Sequence, residues 1–142
     1  MISETRFPVR YAETDQMGIV HHSVYPVWFE CGRTDFIKEY GIAYDELERL
    51  GLMLPLVRLL CEYKNPVKYG DLILVKTRLM KATKVRLILG YEIYAENRDM
   101  FCGKGSTEHA WTGVNLKPVN ISKHKPEIFK KLLPLYNSVT GE

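Results

Sequence analysis

The sequence predicts an α+β layer in which one antiparallel β-sheet carries a single long helix against one face. Three observations predict it. Most of the chain after residue 55 alternates side chains with the period of two that marks strands, Val24–Tyr40 repeats large apolar residues at helical spacing, and the links between the later strands are short. Strands joined by tight turns pair antiparallel, because a parallel neighbour needs a long crossover.

Residues 4–12 place Thr5, Phe7, Val9 and Tyr11 on one face and Arg6 and Arg10 on the other, which predicts a first strand. Thr14-Asp15-Gln16-Met17-Gly18 follows with turn-type residues. Tyr25, Trp28, Phe29, Gly32 and Phe36 then share one face of a helix from Val24 to Tyr40, with Ser23 as candidate N-cap and Pro26 in the first turn, where a missing N–H costs nothing. Glycine inside a helix costs about 1 kcal/mol against alanine, so Gly32 marks either a tolerated defect or a point of close approach. Gly41 closes this helix, and a short second one, Tyr44–Leu50, closes at Gly51.

Four strands follow: Pro55–Tyr63, 72–79, 85–94 and Met100–Leu116. The middle two join near Lys81-Ala82-Thr83-Lys84, and the last begins after Asn97-Arg98-Asp99. The 85–94 strand carries Leu, Ile and Tyr on both faces, which predicts burial by the helix on one side and by another subunit on the other. Pro126 opens a closing helix over Glu127–Leu133.

The chain has 142 residues, 46% hydrophobic and 26% charged, which excludes disorder and a disulfide scaffold and fits one domain over 1–142. Apolar runs such as Leu87-Ile88-Leu89 are too short to cross a bilayer, and the first residues are polar, so neither a membrane span nor a signal peptide is expected. Cys31, Cys61 and Cys102 are odd in number and form no C-x-x-C pair, which points to a reducing, cytoplasmic home. A formal charge of +3, with no run of five basic residues, does not describe a nucleic-acid binder. Lys64, Lys68, Lys81, Lys84 and Arg86 fall in one stretch, which serves either a small phosphorylated ligand or solvated strand edges.

No P-loop, Rossmann glycine fingerprint, G-x-S-x-G or H-E-x-x-H motif occurs. The run from Tyr11 to Glu30 stands out, because it sets a carboxylate, Asp15, and a glycine, Gly18, just before a helix. A helix N-terminus offers free N–H donors that polarise a carbonyl, and a nearby carboxylate acts as base or nucleophile; the same Asp-x-x-Gly is also an ordinary turn. Glu13 is a rival base. His21 and His22 are adjacent with no third ligand at a suitable spacing, a poor zinc site, so neither metal nor other cofactor is expected.

Tyr11, Asp15, Gly18, Ile19, Val20, Tyr25, Trp28, Phe29, Glu30 and Arg33, together with Tyr63-x-x-Pro66-x-x-Tyr69-Gly70-Asp71, resemble the hotdog-fold acyl-CoA thioesterases, in particular the 4-hydroxybenzoyl-CoA thioesterase branch and its Tol-Pal-associated relatives. The resemblance spans nearly the whole chain. It implies an antiparallel sheet wrapped around one long helix, active sites between subunits, and hence a homodimer or homotetramer. It implies Asp15 as the catalytic carboxylate, attacking the thioester carbonyl or activating water, with Gly18 turning the backbone beside it and the His22 main-chain N–H holding the carbonyl oxygen. Tyr25 either lines the acyl pocket or is ordinary core. Glu30 pairs with Arg33 or Arg10, although another hotdog branch takes its catalytic carboxylate from the long helix. Lys64, Lys68, Lys84 and Arg86 are candidates for the phosphates of coenzyme A. The expected substrate is an acyl-CoA, with an acyl carrier protein thioester as the other carrier. The rival functions are an acyl-CoA-binding module without hydrolysis and a hotdog dehydratase, for which His109 and Glu108 supply no convincing acid–base pair.

Overall fold

The computed structural model describes residues 1–140. Five strands form one antiparallel sheet in the order β1-β3-β4-β5-β2. They are β1 (Ile2–Pro8), β2 (Leu56–Tyr63), β3 (Leu72–Ala82), β4 (Arg86–Ala95) and β5 (Met100–Ala110). The long helix α1 (Tyr25–Glu39) packs across one face, α2 (Tyr44–Arg49) follows it, and the C-terminal α3 (Ile121–His124) and α4 (Pro126–Thr140) pack together, with α4 also against β3. The α+β layer is the arrangement expected, with the core between α1 and the sheet.

Helix α1 buries Tyr25, Trp28, Phe29, Gly32 and Phe36, the face that the spacing of three and four defines. Gly32 is a point of close approach, since a Cβ there would sit 2.9 Å from Val75 Cγ1 and closer still to Thr77 Oγ1. Ile73, Val75 and Thr77 of β3 and Leu87, Leu89, Tyr91 and Ile93 of β4 form the opposing floor.

Five details differ from the sequence reading. The first strand ends at Pro8, and the chain then turns through Tyr11–Glu13, so Tyr11 is exposed instead of sharing the buried face with Thr5 and Phe7. Ser23 does not cap α1; it lies inside a 3-10 turn, His22–Val24, whose cap is the His21 ring accepting from the Ser23 N–H. Strand β2 pairs with β5 and not with its sequence neighbour β3, because β1 takes the outer side of β3 and the β3-β4-β5 meander leaves only the outer side of β5 open to it. Strand β5 stops at Ala110; the segment beyond folds into its own hairpin, where Thr112 bridges Met53 and Pro118 and Leu116 takes φ 62°. The closing helix continues through Pro134 to Thr140, held by Ile128, Leu132, Leu135 and Tyr136 in the core.

Candidate active site

Asp15 stands at the tip of a small hairpin that leads into α1. Thr14 bridges Val20, the Asp15 N–H donates to Ile19 O at 2.9 Å, and the Gly18 N–H donates to Asp15 O at 3.0 Å. Gly18 has φ +79°, the left-handed conformation that a three-residue hairpin loop requires at this place. The Asp-x-x-Gly segment is therefore a turn, and that turn holds the carboxylate: Asp15 Oδ1 accepts the Met17 N–H at 2.8 Å. Its Oδ2 has no hydrogen-bond partner among the described residues.

Glu13 braces this hairpin against the helix. Its side chain is buried and accepts from the Arg10 N–H at 2.8 Å and the Trp28 indole at 3.0 Å, and its carbonyl accepts the His21 N–H at 2.9 Å. Burial pushes its pKa up, but the Arg10 N–H, the Arg10 guanidinium and the Trp28 N–H outweigh this and hold it below the ordinary glutamate value. Each oxygen is occupied, which makes Glu13 a brace and not a rival base.

The chain enters α1 through the 3-10 turn. There the Ser23 N–H goes to His21 Nδ1 at 3.2 Å and the Val24 N–H to His21 O at 3.0 Å, while the His22 N–H has no acceptor among the described residues. The carbonyl of His22 accepts the Tyr63 hydroxyl from β2 at 2.8 Å. The His21 and His22 rings lie 4.1 Å apart, and no group of three His, Cys, Asp or Glu side chains gathers as a metal site among the described residues. Tyr25 is buried, 4.7 Å from the Tyr63 ring and 5.2 Å from Trp28, and burial pushes its phenol well above the usual range. It is part of the core and also borders the helix start.

The four candidate cations separate into two groups. Ile19 bridges Lys68, which places Lys68 and the nearby Lys64 at the Asp15 end of the sheet. Lys84 and Arg86 sit at the far end of the eleven-residue β3, about 35 Å away at 3.3 Å per residue. Lys64 lies 3.6 Å from Glu62, and Arg86 pairs with Glu108. A concavity of about 320 Å³ on the sheet's outer face, over Gly90 and bordered by Arg78, Met80 and Ser106, does not include Asp15.

A buried polar chain escaped the sequence reading. Glu30 forms neither expected pair, with Arg33 or with Arg10, among the described residues; the Arg33 Nε donates to Tyr44 Oη at 3.0 Å and its Nη1 to Tyr91 Oη at 3.2 Å. Tyr91 Oη lies 2.6 Å from Thr107 Oγ1, which lies 2.9 Å from His109 Nε2, while His109 Nδ1 lies 3.1 Å from the Leu54 carbonyl. A carbonyl only accepts, so Nδ1 carries the proton, Thr107 donates to Nε2, and Tyr91 donates to Thr107. Burial, then the Arg33 charge, lowers His109 to about 4, so its imidazole is neutral. Only the helical spacing of Arg33 from Phe29, which stacks on Tyr91 at 4.5 Å, hinted at this arrangement.

Comparison with known proteins places the chain in a family. The thioesterase-like superfamily matches residues 9–131. A Bacillus subtilis (strain 168) protein named "Putative acyl-CoA thioesterase YneP" is 36% identical over 126 residues, covering 89% of this chain and 91% of that protein. The acyl-CoA thioester hydrolase YbgC of Escherichia coli O6:H1 is 26% identical over 95 residues, covering 65% of this chain and 71% of its own length. Among solved structures, a DHNA-CoA thioesterase from Staphylococcus aureus superposes with a TM-score of 0.90 at 31% identity, covering 99% of this chain and 95% of that one.

Proposed function

Because the chain belongs to the thioesterase-like superfamily of hotdog-fold proteins, we propose that it hydrolyses acyl-CoA thioesters and that Asp15 carries the reaction. The observation that supports Asp15 is its placement: a carboxylate with one oxygen tied to the Met17 N–H and the other free, on the same hairpin that delivers the open His22 N–H. The thioester carbonyl lies between them, its oxygen held by the His22 N–H at the positive end of α1. Asp15 either attacks the carbonyl carbon, forming an anhydride that water cleaves, or takes a proton from the water that attacks. Both routes expel the coenzyme A thiolate and yield a carboxylic acid. Gly18 keeps the loop tight, and Tyr25 walls the acyl group.

The assembly follows from the sheet edges. We place two copies edge to edge along β2, where Leu56, Val57, Leu60 and Tyr63 are exposed. An antiparallel meeting of the two β2 strands brings the Asp15 end of one subunit to the Lys84 and Arg86 end of the other. Lys64 and Lys68 then serve the coenzyme A phosphates from the same subunit, and Lys84 and Arg86 from the partner. No described helix is long and apolar enough to cross a membrane; the reading of a reducing, cytoplasmic home rests on Cys31, Cys61 and Cys102, which are free thiols.

Thiol release tests this reading. The purified protein, with chelator present, is offered a panel of aliphatic and aryl acyl-CoA thioesters and one acyl carrier protein thioester. Release of free thiol from at least one acyl-CoA is expected. Binding of every thioester without release would make the protein a binding module, and activity that vanishes with chelator and returns with zinc would remove Asp15 from its role.

A further inference from the structure

The residue that sequence reasoning used only as part of a motif, Tyr63, makes a side-chain hydrogen bond that joins the edge strand to the start of α1, and we infer that it is a positioning residue for the His22 N–H. This rests on the thioesterase reading. Its hydroxyl donates to the His22 carbonyl at 2.8 Å across 41 residues of sequence, and its ring meets Tyr25 edge-on at 4.7 Å.

Three bonds fix the main chain at the helix entry, two from the turn itself and one from a distant strand. The His21 ring takes the Ser23 N–H, the His21 carbonyl takes the Val24 N–H, and Tyr63 takes the His22 carbonyl. These three bonds orient the peptides on either side of His22 while leaving the His22 N–H unoccupied. A 3-10 turn has weaker bonds than the α-helix behind it, so an external anchor matters more there than at any later turn. An oxyanion donor stabilises developing charge only if it is aimed before the reaction begins, and the Tyr63 bond supplies that aim without touching the substrate.

Two properties suit Tyr63 to this work. Partial desolvation of its hydroxyl, with Cys61 beside it, pushes the half-exposed Tyr63 phenol up to about 12, so it stays a hydrogen-bond donor throughout the neutral range. It also lies on β2, the edge proposed to pair with a second subunit, so docking of that edge would steady the same tyrosine. Formation of the dimer and alignment of the oxyanion donor become one event.

The test is Tyr63→Phe, which keeps the ring and its contact with Tyr25 and removes only the hydroxyl. The expected result is a fall in kcat of about tenfold, the scale of one lost hydrogen bond in a preorganised site, with KM within twofold and the melting temperature nearly unchanged. Amide hydrogen exchange supplies a readout independent of turnover: the Ser23 and Val24 amides exchange faster in the variant, while Phe29–Ile37 stay as they were. If Tyr63→Phe does not fold, 3-fluorotyrosine at position 63 keeps the shape and strengthens the donor, and the same two amides should then exchange more slowly than in the natural protein; unchanged exchange there overturns the inference as well. A kcat within twofold of the natural protein, or helix-entry exchange unchanged in Tyr63→Phe, overturns the inference. A natural protein that releases no thiol from any thioester would instead overturn the thioesterase reading, and the exchange measurement would still decide whether Tyr63 holds the turn.

Discussion

Asp15→Asn separates charge from shape at the centre of the proposed site. Asparagine keeps an oxygen for the Met17 N–H and so keeps the hairpin, but it lacks the negative charge that attack or proton abstraction requires. Turnover is expected to fall about 10²-fold or more, with affinity for a non-hydrolysable coenzyme A thioether retained, as measured by thiol release beside equilibrium binding. His109 acts on stability instead. Its folded pKa lies at about 4 against an ordinary 6.5, so the unfolded chain takes up the proton first as the pH falls. Its contribution is complete above pH 6.5 and is lost between 6.5 and 4, roughly 3 kcal/mol in all. Glu13, held below its ordinary value, adds a second loss at still lower pH, since its stabilisation disappears as pH falls through its folded pKa. Urea unfolding from pH 8 to 4 should show this decline, and His109→Gln should flatten it above pH 4.

The contact between α1 and β3 sets how far that helix can be altered. Gly32→Ala raises helix propensity by about 1 kcal/mol, yet its methyl meets Val75 and Thr77 at distances no real Cβ tolerates, and overpacking costs about 1–3 kcal/mol. A lower melting temperature is expected. Thr77→Val works in the opposite direction, because the buried Thr77 Oγ1 has no hydrogen-bond partner among the described residues; the variant should gain about 1 kcal/mol in the same unfolding assay. The α1 face was legible in the sequence because its period is local: Tyr25, Trp28, Phe29, Gly32 and Phe36 announce a helix with no knowledge of what they meet. The place of β2 was not legible, since its own alternation says nothing about whether β3 or β5 lies beside it. Residues 111–116 misled for a related reason, continuing an apolar strand pattern past the point where Thr112 turns to Met53. At the site, the turn from Asp15 to Gly18 was readable from spacing and its proposed role only from the family resemblance, while Glu13's burial, Arg33's choice of Tyr44 and Tyr91 over Glu30, and the separation of Lys84 from Lys64 depend on contacts between distant segments. Neighbouring cations in sequence ended far apart because an extended strand carries them away from one another.

The two edges of the sheet are treated differently, and that difference argues for an assembly. On β1, Arg6 bridges Glu4 and Glu96, so this edge is lined with charge of the kind that discourages a further strand. Strand β2 presents Leu56, Val57 and Leu60, all about half exposed, beside an unpaired ladder. A two-fold axis perpendicular to β2, at the strand's open edge, would cover them with an antiparallel partner and continue the sheet across both subunits. Leu60→Lys, outside the Asp15 hairpin, should shift the protein from dimer or tetramer to monomer in sedimentation velocity at micromolar concentration, with activity lost in step. A natural protein that sediments as a fully active monomer would remove the interface. The composition of the site can be tested separately by mixing two weakened proteins, Asp15→Asn and Arg86→Ala. If Asp15 of one chain works with Arg86 of the other, random exchange gives heterodimers in half the population, each with one intact site of two, so the mixture should recover about a quarter of the natural activity. If both groups serve the site of the same chain, every heterodimer holds two damaged sites, and mixing restores nothing.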